Sequence, residues 1–188
     1  KLPIPGTRGI EAQLEKLTEL AREGGYQVLN FADYHTADSK EISNDPDFKT
    51  TFPAHCLRGT KGALFIPETT PVDPYIIDYK AKGFDRARVQ ESRNIILYKD
   101  DFSAFVGNPH TGAVLDVMAP DRVILYGVAT DVCVDMQLNG MHARGIEVVV
   151  AEDAIKELPG ANVEEILARW EKLGATLART ASIEKYLR

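Results

Sequence analysis

Four runs of strand length are apolar almost end to end: YQVLNFAD (26–33), NIILYK (94–99), RVILYGVA (122–129) and IEVVVAED (146–153). A strand with one wet face alternates apolar and polar residues, whereas a continuous run implies cover on both faces. Between the runs lie segments at helical spacing. TRGIEAQLEKLTELAREGG sets Ile10, Leu14, Leu17 and Ala21 on one face and stops at Gly24-Gly25. TDVCVDMQLNGMHARG sets Val132, Met136 and Ala143 on one face and stops at Gly145. NVEEILARWEKLG does the same with Val163, Ile166, Leu167, Trp170 and Leu173, and stops at Gly174. TGAVLDVMAP reads as a short helix, ATLART as a weaker fifth strand, and LFIPE and YIIDYK as short extended pieces. Doubly covered strands alternating with helices predict an α/β fold, a three-layer sandwich with a mainly parallel central sheet flanked by helices. The 188 residues suffice for a single domain, 1–188, with a real core, and are short for two.

Charge and cysteine content narrow the functional classes. A net charge of −6 without a long basic block disfavours nucleic acid and anionic membranes as partners. No apolar run approaches the ~18 residues of a membrane span, and no signal-peptide pattern opens the chain. Two cysteines, Cys56 and Cys133, are too few for a disulfide framework, so a reducing cytoplasm is the expected setting. A small-molecule substrate fits this profile.

In parallel sheets, chemistry collects at the carboxyl ends of strands. Asp33, Lys99 and the segment before Cys133 all fall there. The loop 34–60 is long, polar and irregular, which in a compact domain points to function. It holds Asp33-Tyr34-His35 at its start and His55 in FPAHCLRGT near its end. Residues two apart in extended chain share a side, so Asp33 and His35 can converge on one ion, with His55 reaching in from across the loop. The competing reading is a polar surface loop. Cys133 sits at a strand-to-helix transition, GVATDVCV, where Thr130 or Asp131 can cap the helix and the first turn favours a thiolate. Val132-Cys133-Val134 could equally be packing. Lys99, taken alone, is a solvated strand-end charge.

Three motifs in a fixed order resemble those of the isochorismatase-like cysteine hydrolases, and most closely of the nicotinamidases, from Leu2 to about Ser182. Gly127–Val134 is similar to the family's Gly-[Val/Leu/Ile]-Ala-Thr-Asp-x-Cys-Val segment. The resemblance implies that Cys133 is the nucleophile, that the Val128-Ala129 peptide is cis, and that the Ala129 and Cys133 N–H groups form the oxyanion hole. Lys99, Phe102, Ser103, Ala104 and Phe105 match the family's Lys-x-x-[Phe/Tyr]-[Ser/Asp]-Ala-Phe, which implies a catalytic lysine. DYH and FPAHCLRGTKGA resemble the metal-binding pairs of nicotinamidases, with Asp33, His35 and His55 as ligands. The family's fourth ligand is often a His between the pairs. Here Glu41 takes that place, with Asp38, Asp45 and Asp47 as rivals, a harder donor set that favours Mn or Fe somewhat over Zn.

By the same matching Phe52 walls the ring pocket, Phe105 is a further pocket residue, and Cys56 is structural. His110 and His142 have no motif support and read as surface or helix residues. KLPIPGT resembles the turn that follows the family's first strand, so that strand and its general-base Asp are expected upstream of Lys1. The implied activity is metal-dependent hydrolysis of nicotinamide through a cysteine thioester, in a chain that tends to form homo-oligomers. Other carboxamide or N-carbamoyl hydrolysis, or ligand binding without turnover, are the alternatives. Isochorismate hydrolysis is disfavoured, because that subgroup does not keep the cysteine.

Overall fold

The structure, a computed structural model, describes residues 4–187. Leu2 and Pro3 of the expected Leu-Pro-Ile-Pro-Gly turn lie outside the described residues. In chain order the elements are α1 (Glu11–Glu23), β1 (Val28–Asp33), β2 (Tyr75–Ile77), α2 (Arg86–Glu91), β3 (Asn94–Lys99), α3 (Ala104–Gly107), α4 (Thr111–Met118), β4 (Arg122–Val128), α5 (Asp135–His142), β5 (Glu147–Lys156), α6 (Val163–Lys172) and β6 (Thr176–Ala178). The strands form two three-stranded sheets, ordered β1-β3-β2 and β4-β5-β6, and every pairing in them is parallel. Parallel sheets flanked by helices make this an α/β fold, as the continuous apolar runs predict. Among the described residues no helix is long and apolar enough to cross a membrane.

The chain divides into two compact units. In the first, residues 25–118, the core gathers Ile77, Val89, Ile95, Leu97 and Val114, so β3 is buried between its neighbours and α2 and α4. Asp85 starts α2 by accepting the Ala87 and Arg88 N–H groups, satisfying donors that a helix start leaves open. In the second, residues 4–24 and 119–187, Ile10, Leu14 and Leu17 lie in one core with Val149, Ala151, Ala154, Ala178 and Ile183. Asn162 caps α6 through the Glu165 N–H, and the acidic first turn and basic last turn both suit the helix dipole.

Two segments differ from expectation. In LFIPE, Leu64 and Ile66 have extended backbone but join no strand; Pro67, without an N–H to donate, begins a 3-10 turn instead. In α5 the buried residues are Gln137, Leu138 and Met141, whereas Met136 is 40% exposed and Ala143, just past the helix, lies on the surface. The cause is a π turn over Thr130–Val134, in which the Val134 N–H reaches back five residues to the Ala129 carbonyl at 3.0 Å. One wide turn rotates everything after it relative to a regular helix.

Gly107 closes α3 where the chain runs back against the end of β3. A Cβ there would sit 2.7 Å from the Asp101 backbone nitrogen and 2.9 Å from that of Asp100. In an open helix Gly→Ala stabilises by up to about 1 kcal/mol. Here the clash is with backbone, which cannot rotate away, so Gly107→Ala is expected to destabilise by about 2 kcal/mol. A melting temperature at or above that of the parent would contradict this.

Candidate active site and metal centre

The site in the first unit begins with the register of β1 on β3, which pairs Asp33 with Lys99 at the carboxyl ends of both strands. Beyond β1 the chain stays extended. The His35 N–H donates to the Cys56 carbonyl at 3.0 Å, and the Arg58 N–H donates to the His35 carbonyl at 2.9 Å. This parallel bridge between His35 and Leu57 folds the long loop back and delivers His55 beside His35. Alternation does the rest. Tyr34 points away from Asp33 and His35 and stacks on Tyr98 at 4.0 Å between centroids, with Arg58 lying 4.4 Å over its ring.

Asp33, His35 and His55 each bring one ligand atom into a group spanning no more than 4.8 Å. The two imidazoles meet edge to face at 4.8 Å between centroids. His35 is fully buried, and its Nδ1 lies 2.8 Å from Asp100 Oδ1. His55 is also buried, with Nδ1 2.9 Å from the Pro53 carbonyl. Carboxylates and carbonyls only accept, so in the neutral ring both histidines hold the proton on Nδ1 and offer Nε2 as a lone pair. Burial, opposed by the contact with Pro53, pushes the His55 pKa down and keeps that ring neutral. His35 Nε2 is buried without a hydrogen-bond partner, 3.9 Å from Asp33 Oδ1 and 3.7 Å from Glu41 Oε2. A buried lone pair facing carboxylates is a costly arrangement that a divalent cation would satisfy, so the donor set fits a metal.

Of the four carboxylates weighed as a further ligand, Glu41 is buried beside His35, while Asp38, Asp45 and Asp47 are exposed. Asp47 spends Oδ1 on the N–H groups of Lys49, Thr50 and Thr51, and Oδ2 on the Thr50 hydroxyl. Desolvation pushes the Glu41 carboxyl up to about 7, with His35 the main opposing influence. A cation next to it would draw it back down.

Lys99 is not a surface charge. It is 2% exposed, its ammonium is paired with Asp33 Oδ1, and it donates to the Asp101 carbonyl at 2.8 Å. Asp33 thus faces both the lysine and the two imidazoles. Phe52 is buried against this group, 6.3 Å from the His55 ring and 5.7 Å from Phe102, each edge to face. Phe105 is half-buried. Sequence reasoning missed Asp100, Ser39 and the aromatic contact of Phe102. The only hint was Asp100-Asp101 directly after a strand-end lysine. His110 is an internal tie: its Nε2 meets the Ala81 carbonyl at 2.9 Å.

In the second unit β4 ends at Val128, and the Val128–Ala129 peptide is cis. Cys133 follows on the π turn, half-buried, and its carbonyl accepts the Gln137 side-chain amide at 2.8 Å. Neither Thr130 nor Asp131 caps this turn. Asp131 instead accepts the Leu158 N–H at 2.8 Å, tying the turn to the chain beyond β5, and the Thr130 hydroxyl is buried without a partner. The π turn draws both the Val132 and Val134 N–H groups onto the Ala129 carbonyl, which removes the opening a side-chain cap would fill.

The family model of the Isochorismatase domain matches residues 79–182. The nicotinamidase/pyrazinamidase of Mycobacterium tuberculosis is 26% identical over 163 residues, which is 85% of this chain and 75% of that protein. The solved structure of N-carbamoylsarcosine amidase from Thermoplasma acidophilum matches with a TM-score of 0.75 at 24% identity, covering 98% of this chain and 90% of its own. The pyrazinamidase of Pyrococcus horikoshii in complex with zinc matches with a TM-score of 0.72 at 20% identity, covering 95% and 89%. At such identities the two solved structures speak for the fold alone.

Proposed function

This chain belongs to the isochorismatase family of hydrolases, and on that footing we propose that it is a metal-dependent amidase converting nicotinamide to nicotinate and ammonia. The observation that carries this reading is the Asp33–His35–His55 group with the buried, unpartnered Nε2 of His35. The likeness to the Mycobacterium tuberculosis nicotinamidase/pyrazinamidase supports it.

In this reading Cys133 attacks the carboxamide carbon as thiolate. The carbon–nitrogen bond breaks, and the nitrogen leaves as ammonia, taking up the proton that the Cys133 thiol gave up. Water then adds to the thioester carbon, the Cys133 sulfur departs, and nicotinate is released. The Ala129 and Cys133 N–H groups are the oxyanion donors. Lys99 carries the positive charge that favours the thiolate and offsets the developing negative charge. Phe52 and Phe105 line the ring pocket. Asp33, His35 and His55, with Glu41 beside them, would hold one ion of zinc, iron or manganese, which when bound would supply an electropositive anchor for the pyridine nitrogen. That contribution is orientation of the carboxamide. Nicotinate formed this way would enter pyridine-nucleotide salvage.

The test is ammonia release by the metal-loaded protein. Release from nicotinamide is expected, falling at least about tenfold after chelation, in line with the loss of an orienting contact. Restoration by zinc, iron or manganese would identify the ion. Ammonia from N-carbamoylsarcosine instead, unaffected by chelation, would favour a ureido hydrolase, the second reading that the Thermoplasma acidophilum likeness brings in. Release from neither by a folded protein would sink both and leave a binding domain.

A further inference from the structure

The His35 ring is gripped from the side opposite the metal group. Asp100 Oδ1 accepts from His35 Nδ1 at 2.8 Å and from the Ser39 hydroxyl at 2.5 Å. Ser39 Oγ in turn accepts the Thr36 N–H at 2.8 Å, and its own proton goes to Asp100, whose carboxylate can only accept. Ser39 is itself buried, and its own N–H closes the turn onto the Thr36 carbonyl at 3.1 Å. The Asp100 backbone is held as well, by its N–H donating to the Gly107 carbonyl at 3.1 Å. A chain of hydrogen bonds therefore runs from the loop start, through Ser39 and Asp100, to the ring.

We propose that Asp100 and Ser39 are positioning residues: they fix the proton on His35 Nδ1 and aim its Nε2 lone pair at the ion. The inference rests on the metal-centre reading above. Asp100 acts through the ring and not on the ion, because its oxygen meets the nitrogen that faces away from Asp33 and Glu41. An imidazole free to rotate or to exchange tautomers presents a lone pair only part of the time. A carboxylate behind it removes that loss and raises the basicity of the ligating nitrogen. Ser39 matters because one hydrogen bond leaves a carboxylate able to swing, and two on the same oxygen do not.

Zinc affinity, measured by competition with a chromophoric chelator, tests this. Asp100→Ala is expected to weaken binding about 10–100-fold, the range for removing such an outer partner. Asp100→Asn should lose less, since its Oδ1 still accepts from Nδ1, and Ser39→Ala should also lose less than Asp100→Ala. A purely structural role would move the melting temperature without touching the tautomer. The ¹⁵N shifts of the His35 ring in metal-free protein therefore give a second readout: Nδ1–H in the parent, mixed tautomers in Asp100→Ala. A folded Asp100→Ala that keeps the Nδ1–H tautomer and binds zinc within about twofold of the parent overturns the proposal. If that variant does not fold, Asp100→Asn and Ser39→Ala decide by the same two measurements. A parent that binds no zinc sinks the metal centre and this proposal with it; a zinc-binding parent with indifferent variants sinks only the proposal.

Discussion

Cys133→Ala is expected to lower ammonia release from nicotinamide by about 10⁴-fold or more, the scale on which removing a covalent nucleophile acts. The substitution deletes one half-buried sulfur on a turn held by backbone bonds to Ala129, so the fold should survive. Zinc content should not change, because Cys133 is not one of the residues proposed to hold the ion. Loss of turnover with retained zinc and an unshifted melting curve is the informative result, since it separates chemistry from folding. Cys133→Ser should recover little, because an alcohol ionises far less readily than a thiol at neutral pH. An alanine variant keeping more than a tenth of the parent rate would remove Cys133 from the mechanism and send the search for a nucleophile elsewhere.

Lys99→Met is expected to lose both activity and stability, and the stability loss should depend on the metal. Met keeps much of the length of the buried lysine stem but leaves Asp33 without its cation. Breaking a buried ion pair by removing one partner costs about 3 kcal/mol at the low end of the usual range. The low end applies because the Asp33 side chain keeps 21% of its exposure. With zinc present the aspartate has another positive partner, so the deficit should shrink. Thermal melts of parent and variant, each with zinc and with chelator, read this directly. A deficit of the same size in both conditions would mean that Asp33 is not shared between the lysine and the metal. Turnover is expected to fall about 10²–10³-fold, as when one electrostatic stabiliser of a transition state is removed.

The sheets were legible because burial on both faces leaves a plain signature. YQVLNFAD, NIILYK and RVILYGVA begin and end within two residues of β1, β3 and β4. Asp33, His35, His55 and Lys99 were singled out through their motifs, the sequence put two of them at strand ends, and the fold brings their side chains together. What it could not supply was register. That Asp33 lies directly across from Lys99 is a property of how β1 pairs with β3, so the ion pair was not foreseen. Asp100 and Ser39 were missed for the same reason: 61 residues separate them, and only the folded loop brings them together. The face of α5 was misread because helical spacing assumes a constant turn, and the π turn at Thr130–Val134 breaks that constancy.

The single tryptophan has a practical consequence. Trp170 is fully buried on α6, with its ring N–H donating to Asp135 at 2.6 Å, so its emission should change sharply when that surrounding is lost. It belongs to the second unit, with Tyr126 and Tyr186, whereas Tyr26, Tyr34, Tyr75, Tyr79 and Tyr98 belong to the first, with the metal group. The molecule thus carries an indole that reports on the second unit alone, and phenols of which five lie in the first unit and two in the second. Coincident denaturation curves from both would license one unfolding free energy for the whole chain. Curves that part on adding zinc, with the phenol signal alone moving, would locate the metal's grip in the unit that holds the histidines.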